Sequence, residues 1–309
     1  MAFLYALPGA VAEGLIWGLM AIGVYISYKI LDIADLTVDG SICTGACVCA
    51  VLLAMGVPVW ICVPVAFLTG ALAGVVTGLL HTALGIPSIL AGILTQLGLW
   101  SVNLAIMGMS ASQSLNVRNY EPLVSLRYMQ EVQAGQRGFW QHPILVTMLA
   151  TAVIIAILYW FFGTERGSSI RATGANEHMA RAQGINTDLN KLIGLMLSNG
   201  LVALSGALLS QYQSYAEIKM GRGAIVIGLA AVIIGQVTFG KIFKNFALKL
   251  LSVSFGSVIY YLVIQIVVSL LKINTNYLKL FSALIVAAFL AVPYWQKKYI
   301  PQKNAVGKG

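Results

Sequence analysis

Charge is scarce in this sequence: Asp, Glu, Lys and Arg make up 9% of its 309 residues, while 59% are hydrophobic. A soluble domain carries about 25% charged residues, so a water-facing surface of ordinary composition cannot be assembled from this chain. A mean hydropathy of +0.86 points the same way, toward lipid as the solvent. Acids are scarcer than bases, ten against 19, and none falls between Asp39 and Glu121. Mg²⁺-dependent transfer to diphosphates needs several carboxylates converging on the metal. Here one cluster, Asp32, Asp35 and Asp39, has no second cluster to face. The three histidines, His81, His142 and His178, have no pair at ligand spacing. The four cysteines, Cys43, Cys47, Cys49 and Cys62, match neither a zinc site nor a redox CxxC and read as small apolar residues on membrane helices. No metal ligand set is expected. No GxxxxGK[ST] phosphate loop occurs. No basic stretch with a short apolar run and small-residue cleavage site opens the chain, so it is expected to insert through its own first spans.

Long apolar runs take the place of what is missing. A spanning helix needs about 20 mostly apolar residues, and candidates lie near 10–30, 41–56, 59–80, 87–109, 143–162, 191–212, 223–240, 247–271 and 278–294. The second is short and follows a polar stretch. The seventh opens with Gly-Arg-Gly at 221–223 and carries Gly228 and Gly235. Short or Gly-interrupted spans in both halves suggest broken or re-entrant helices. The expected fold is an all-α, polytopic transmembrane bundle of about 8–10 spans in a single domain, residues 1–309.

The net charge of +9 is concentrated at 163–191, 240–249 and 295–309 and nearly absent from the spans. That is the positive-inside pattern rather than a nucleic-acid face. With 163–190 and the basic tail 295–309 inside, an even number of spans separates each basic stretch from the next. The sign-balanced segment 110–142, with Arg118, Glu121, Arg127, Glu131 and Arg137, then lies outside, as does the amino terminus. Trp100, Trp140, Tyr159, Trp160, Tyr294 and Trp295 fall near span ends, where amphipathic rings settle at headgroups.

Gly70, Gly74 and Gly78 share one face of the third span and would let a neighbouring backbone approach closely. The polar island 31–40 gathers Asp32, Asp35 and Asp39 in eight residues. A charge at the bilayer centre costs roughly 2.5–3.5 kcal/mol even on lenient scales, so the island must reach the interface or a water-filled cavity. It is either a break lining a solute path, with Asp35, Thr37, Asp39 and Ser41 offering contacts, or a turn in which Thr37 or Asp39 caps the next helix. The other polar groups within spans are Gln96 and Asn103, on one face of the fourth, Asn199 and Gln211 in the sixth, and Gln236 in the seventh. Each can serve as interhelical glue or line a pathway. Glu13 stands near the outer end of the first span.

Within 163–191 the residues predict a rigid projection. Asn176 suits an N-cap with Glu177 in the first helical turn, Gly184 a C-terminal stop, and Asn186 or Thr187 the cap of the next span. The stretch from Arg171 to Asp188, RATGANEHMARAQGINTD, resembles the coupling-helix region of ATP-binding-cassette importer permeases of the branched-chain amino acid and ribose superfamily. The Gly-rich 221–240 region and the stretch Ala34–Ser41 extend the resemblance, most closely to the subgroup for tryptophan and other aromatic amino acids. By similarity, Gly174, Ala175, Asn176, Glu177, His178, Met179, Ala180, Arg181 and Gly184 form the coupling contact. The resemblance implies a homodimer or pseudo-dimer in the cytoplasmic membrane, cytosolic ATPase subunits carrying ATP and Mg, and an extracytoplasmic solute-binding lipoprotein. The chain itself would bind no cofactor and catalyse no reaction, and its tail would be cytoplasmic. Branched-chain amino acids, sugars or nucleosides are alternative cargoes. A motor-independent secondary transporter is the rival of another class, although ion coupling usually uses an intramembrane carboxylate or histidine, of which the deep spans hold few.

Overall fold

A computed structural model of the chain describes residues 2–115, 120–133, 138–240, 242–271, 280, 282–289 and 291. The basic tail 295–309 lies outside the described residues, as do Arg118, Arg137, Lys241, Tyr294 and Trp295. In chain order the elements are α1 (Ala2–Tyr25), α2 (Val38–Ala54), α3 (Val59–Thr82), α4 (Ser88–Ile106), β1 (Ser112–Ser114), α5 (Leu126–Gln133), α6 (Pro143–Gly163), α7 (Glu165–Ala175), α8 (Glu177–Ala182), α9 (Thr187–Gln213), β2 (Tyr215–Glu217), α10 (Ala224–Phe239) and α11 (Phe246–Leu271). Residues 282–289 are also helical. The expected all-α bundle is what forms, the one small sheet among the described residues being the antiparallel pair β1–β2. Among the described residues six helices are long and apolar enough to cross a membrane, while α2 and α10 have 17 and 16 residues. At ~1.5 Å per residue those two reach about 25 Å, short of a hydrocarbon core of about 30 Å.

Burial separates an inner pair from an outer ring. The apolar windows of α1 and α9 are 83% and 72% buried, against 28% for α4 and 22% for α6, so the outer helices turn most of their side chains to lipid. The glycine face of α3 meets α9: a Cβ at Gly70 would strike the carbonyl of Asn199, and one at Gly74 that of Leu195, while Gly78 lies against Leu192. Such close backbone approach is how helices associate where no hydrophobic drive exists between them. Buried serines add polar stitches to α1. Ser198 and Ser205 of α9 donate to the carbonyls of Gly23 (2.8 Å) and Ile16 (2.7 Å), and Ser257 of α11 donates to Gly14 (2.8 Å). Around them Ile22, Ile26, Leu158, Phe162, Leu195 and Val253 close an apolar core.

The chain direction explains the two short helices. α1 and α9 run antiparallel, with Gly9 beside Tyr212 at one end and Leu31 against Gly194 at the other. α1 ends in a π-helical turn, Ile26–Ile30, and residues 31–37 then climb back beside α9, so that α2 begins halfway along the bundle, its Ile42 against Gly206. After α9 the chain likewise returns inward through 214–223 until Gly221 touches the backbone of Asp39, and α10 starts there and runs the opposite way. The second arrangement repeats the first upside down, as in transporters built from inverted repeats. The interruptions expected from the short second span and the Gly-rich seventh therefore lie at one place, where α2 and α10 meet N-terminus to N-terminus.

Candidate functional site

Two regions hold the residues singled out by sequence: a strap at one end of the bundle and the junction at its centre. The strap begins at Thr164, whose hydroxyl accepts from Gly167 N–H and caps α7 (3.3 Å). The sequence signals within 163–191 do not announce that helix, whose Ser, Gly and Thr residues have weak helical preference. Asn176 leaves the helix at φ −160° and its Oδ1 accepts from Met179 N–H (3.0 Å), starting α8. Gly184, at φ +79°, occupies the left-handed region after α8, a conformation that favours glycine. Asn186 Oδ1 then accepts from Leu189 N–H (3.0 Å) and caps α9. The three caps stand where the residue types placed them.

Ion pairs fix this strap to α9. Glu177 accepts from Lys191 Nζ (2.7 Å) and from Arg181 (3.1 Å), and Arg181 also donates to Thr187 Oγ1 (2.8 Å). The Lys191 hydrogen bond, against a small burial cost, holds the Glu177 carboxyl below its ordinary value of 4.5. Asn190 of α9 donates to Ser169 and Thr173 of α7, both at 2.9 Å. Gly174 lies on the carbonyl of Ile30, where a Cβ would collide; its place is in packing α7 onto the end of α1. Ala180 is buried beneath α8, whereas Ala175, His178, Met179 and Arg181 are exposed.

At the centre, sequence neighbours separate. Asp35 is buried; its Oδ2 accepts from Asn199 Nδ2 (2.6 Å) and its Oδ1 from Thr37 N–H (2.9 Å). Ser41 donates to Asn199 Oδ1 (2.6 Å), and the hydroxyls of Thr37, Thr77 and Thr95 form a chain at 2.7 and 2.9 Å. This network ties α2, α3, α4 and α9 together, and all its members are buried. The cap expected of Thr37 or Asp39 at α2 is not made. Thr37 spends its hydroxyl on Thr77 instead, and Asp39 reaches across to α10, accepting from Gly223 N–H and Ile225 N–H, both at 2.9 Å. A carboxylate at the first free N–H groups of a helix is favoured by its dipole. Asp32 is exposed, so the three carboxylates do not converge. No group of three or more His, Cys, Asp or Glu able to hold a metal occurs among the described residues.

Beside Asp39 opens a cavity of about 340 Å³. Gln96 and Asn103 line it from one face of α4, as their spacing implies, together with Cys43, Trp100 and Arg222. The Arg222 guanidinium lies 5.0 Å from the centre of the Trp100 ring, and Asn103 Oδ1 is buried without a hydrogen-bond partner. Thus Asp39, Gln96 and Asn103 come together, while Asp35, Thr37, Ser41 and Asn199 sit in the sealed network. Gln211 belongs elsewhere, its Oε1 accepting from Leu123 N–H (2.9 Å) to hold the 120–125 segment against α9. Gln236 is half-buried on α10, away from the cavity. Trp100 and Arg222 were not read as site residues, although both were noticed, one as an interface ring and the other inside Gly-Arg-Gly.

A bundle of lipid-facing spans around two interrupted helices, carrying a polar cavity at the break, defines a multi-pass membrane transport protein. The chain belongs to the family described as the branched-chain amino acid transport system permease component, which matches residues 9–291. It is the permease class of ATP-binding-cassette importers, a transport subunit. The chain is 37% identical over 279 residues to the tyrosine transport system permease protein of Clostridioides difficile (strain R20291), covering 90% of this chain and 88% of the relative. An uncharacterized protein of Rickettsia prowazekii (strain Madrid E) is 32% identical over 255 residues, covering 82% and 85%. More distant is the autoinducer 2 import system permease protein LsrC of Escherichia coli (strain K12 / DH10B), 27% identical over 217 residues, covering 65% and 56%. No solved structure matches the chain.

Proposed function

We propose that this permease carries an aromatic amino acid, tyrosine or a close relative, inward across the cytoplasmic membrane. Two copies would enclose the pathway, cytosolic ATPase subunits with their ATP and Mg would drive it, and an extracytoplasmic solute-binding lipoprotein would deliver the cargo on the face formed by 110–142. The strap of α7 and α8 would face the cytosol, as would the tail. The observation that carries the reading is the pinning of α8. Force applied to its exposed side, at His178 and Met179, passes through Glu177–Lys191 and Arg181–Thr187 into α9. α9 in turn holds Asp35 and Ser41 beside the central break. The tyrosine permease relative supports the cargo, as does a cavity offering a ring, a guanidinium and two amides to a zwitterion bearing a ring.

Uptake of labelled tyrosine into proteoliposomes containing the chain, its ATPase and its binding protein is expected to require ATP. Uptake driven by an ion gradient through the chain alone would reject the motor. Asn176→Trp and Gly184→Leu are expected to abolish stimulated ATP hydrolysis while the detergent-solubilised permease stays folded, the lost cap and the strained left-handed position costing about 1–2 kcal/mol each. Wild-type stimulation in both would reject α8 as the coupling contact.

A further inference from the structure

Four cations converge on one recess at the strap end of the bundle, outside the central site. Lys29 comes from the π-helical end of α1, Arg171 from α7, Lys244 from the turn before α11 and Lys249 from its first turns. The recess measures about 610 Å³ and no carboxylate lines it. Among the described residues none of the four makes an ion pair, although Arg181 and Lys191 nearby both pair with Glu177. A solvated basic loop spreads its charges outward; here three elements aim theirs at one space, an arrangement that like-charge repulsion disfavours unless an anion completes it.

A second recess, of about 530 Å³, adjoins the first and shares Arg171 and Phe246 with it. The Arg171 guanidinium lies 5.7 Å from the centre of the Phe246 ring, on the boundary between the two. The second recess is lined by Tyr159 and Trp160 of α6, which are 56% and 71% exposed on the lipid-facing side. Charge thus gives way directly to an aromatic, outward-facing groove. From this pairing we infer that the two recesses together hold an anionic phospholipid, its phosphate headgroup among Lys29, Arg171, Lys244 and Lys249 and its acyl chains along Trp160 and Phe246. Basic pockets between membrane helices recognise such headgroups. A free phosphate would use the first recess and leave the second without a role. Gly174 and Ala175 border the charged recess and lead straight into the Asn176 cap, so the lipid braces the strap from behind. The inference is independent of which solute is carried.

Native mass spectrometry of the full chain in a neutral detergent, titrated with phosphatidylglycerol, phosphatidylcholine or inorganic phosphate, tests it. Phosphatidylglycerol is expected to be retained and phosphatidylcholine not. The triple variant Lys29→Gln/Lys244→Gln/Lys249→Gln should weaken retention about a hundredfold, roughly fivefold for each charge removed. The matching Lys→Arg triple variant should keep it. Equal retention of the two lipids by the wild-type chain overturns the inference, and this comparison stands even if the Gln variant fails to fold. Undiminished retention by a folded Gln variant also overturns it. Displacement of the lipid by millimolar phosphate would assign the recess to a free anion. Unchanged lipid retention with lost ATPase binding would assign it to a protein partner.

Discussion

Asp35 and Asp39, four residues apart in sequence, take different partners at the bundle's centre. Asp35 belongs to the sealed side, where both its oxygens are taken by Asn199 and Thr37 and the Thr37–Thr77–Thr95 chain closes behind it. Asp39 belongs to the open side, spanning from α2 to the first N–H groups of α10 and rimming the cavity with Trp100 and Arg222. Both are carboxylates in a polar island, yet the first works as structural cement and the second faces solvent-sized space. The difference arises because residues 31–37 are not helical. The four-residue spacing therefore does not put the two groups on one face, and each takes the partners its own segment reaches.

If the sealed side is over-determined and the open side is not, substitutions should divide accordingly, and the glycines give the largest contrast. Gly74→Leu drives a side chain into the carbonyl of Leu195, whereas Gly98 on α4 has nothing near its missing Cβ. Gly74→Leu should cost at least about 4 kcal/mol, among the most damaging of single changes, and Gly98→Leu almost nothing. Yield and thermal melts in detergent check both, and equal melts would break the distinction. Next, Asp35→Ala strands the buried amide of Asn199 and the N–H of Thr37, for a loss of about 3 kcal/mol. Asp39→Ala should cost less in the melt and more in transport, since it frees the start of α10 beside the cavity. A melt for Asp39→Ala as low as that for Asp35→Ala would count against the open side.

Smaller effects sharpen the comparison. Trp100→Ala removes the ring under Arg222 and should lower tyrosine uptake by up to about tenfold with an unchanged melt, measured in the reconstituted system. At the strap, the lowered Glu177 carboxyl works in the acid direction. Its pairing with Lys191 and Arg181 is fully present above the ordinary value of 4.5 and is lost as pH falls through the lower folded-state value. Because both Glu177 and Arg181 are partly exposed, the change amounts to about 0.5 kcal/mol. It would appear as lower amide-exchange protection factors across α8 below pH 4.5, after correction for the intrinsic rate, with no change in the central helices.

What could be read from the sequence was local. The caps at Asn176 and Asn186 and the stop at Gly184 depend on partners within three or four residues, and the glycine face of α3 follows from helical spacing alone. The shortness of the second span and the glycines of the seventh betrayed their interruption. Their meeting could not be read, because Asp39 and Gly223 are 184 residues apart, and no spacing rule carries so far. A separation of 164 residues likewise hid the pairing of Asp35 with Asn199, which places this pathway candidate in a buried network. The helix α7 was missed for a different reason. Its Ser, Gly and Thr have weak intrinsic preference, and contact with Asn190 and Ile30 decides their conformation.

Six described helices are long and apolar enough to cross a membrane from end to end, but α2 and α10 each begin in the middle. Along that line no continuous rod runs: the Asp39 carboxylate clasps two amide groups, and Cys43 accepts from Gly221 N–H beside it (3.1 Å). Rotating either half-helix away from the other would disrupt two charge-assisted bonds, each worth about 1.5–3 kcal/mol, whereas bending a full span would disturb several turns of backbone. The middle of the permease is therefore a joint between two half-helices, closed by Asp39 with Cys43 beside it.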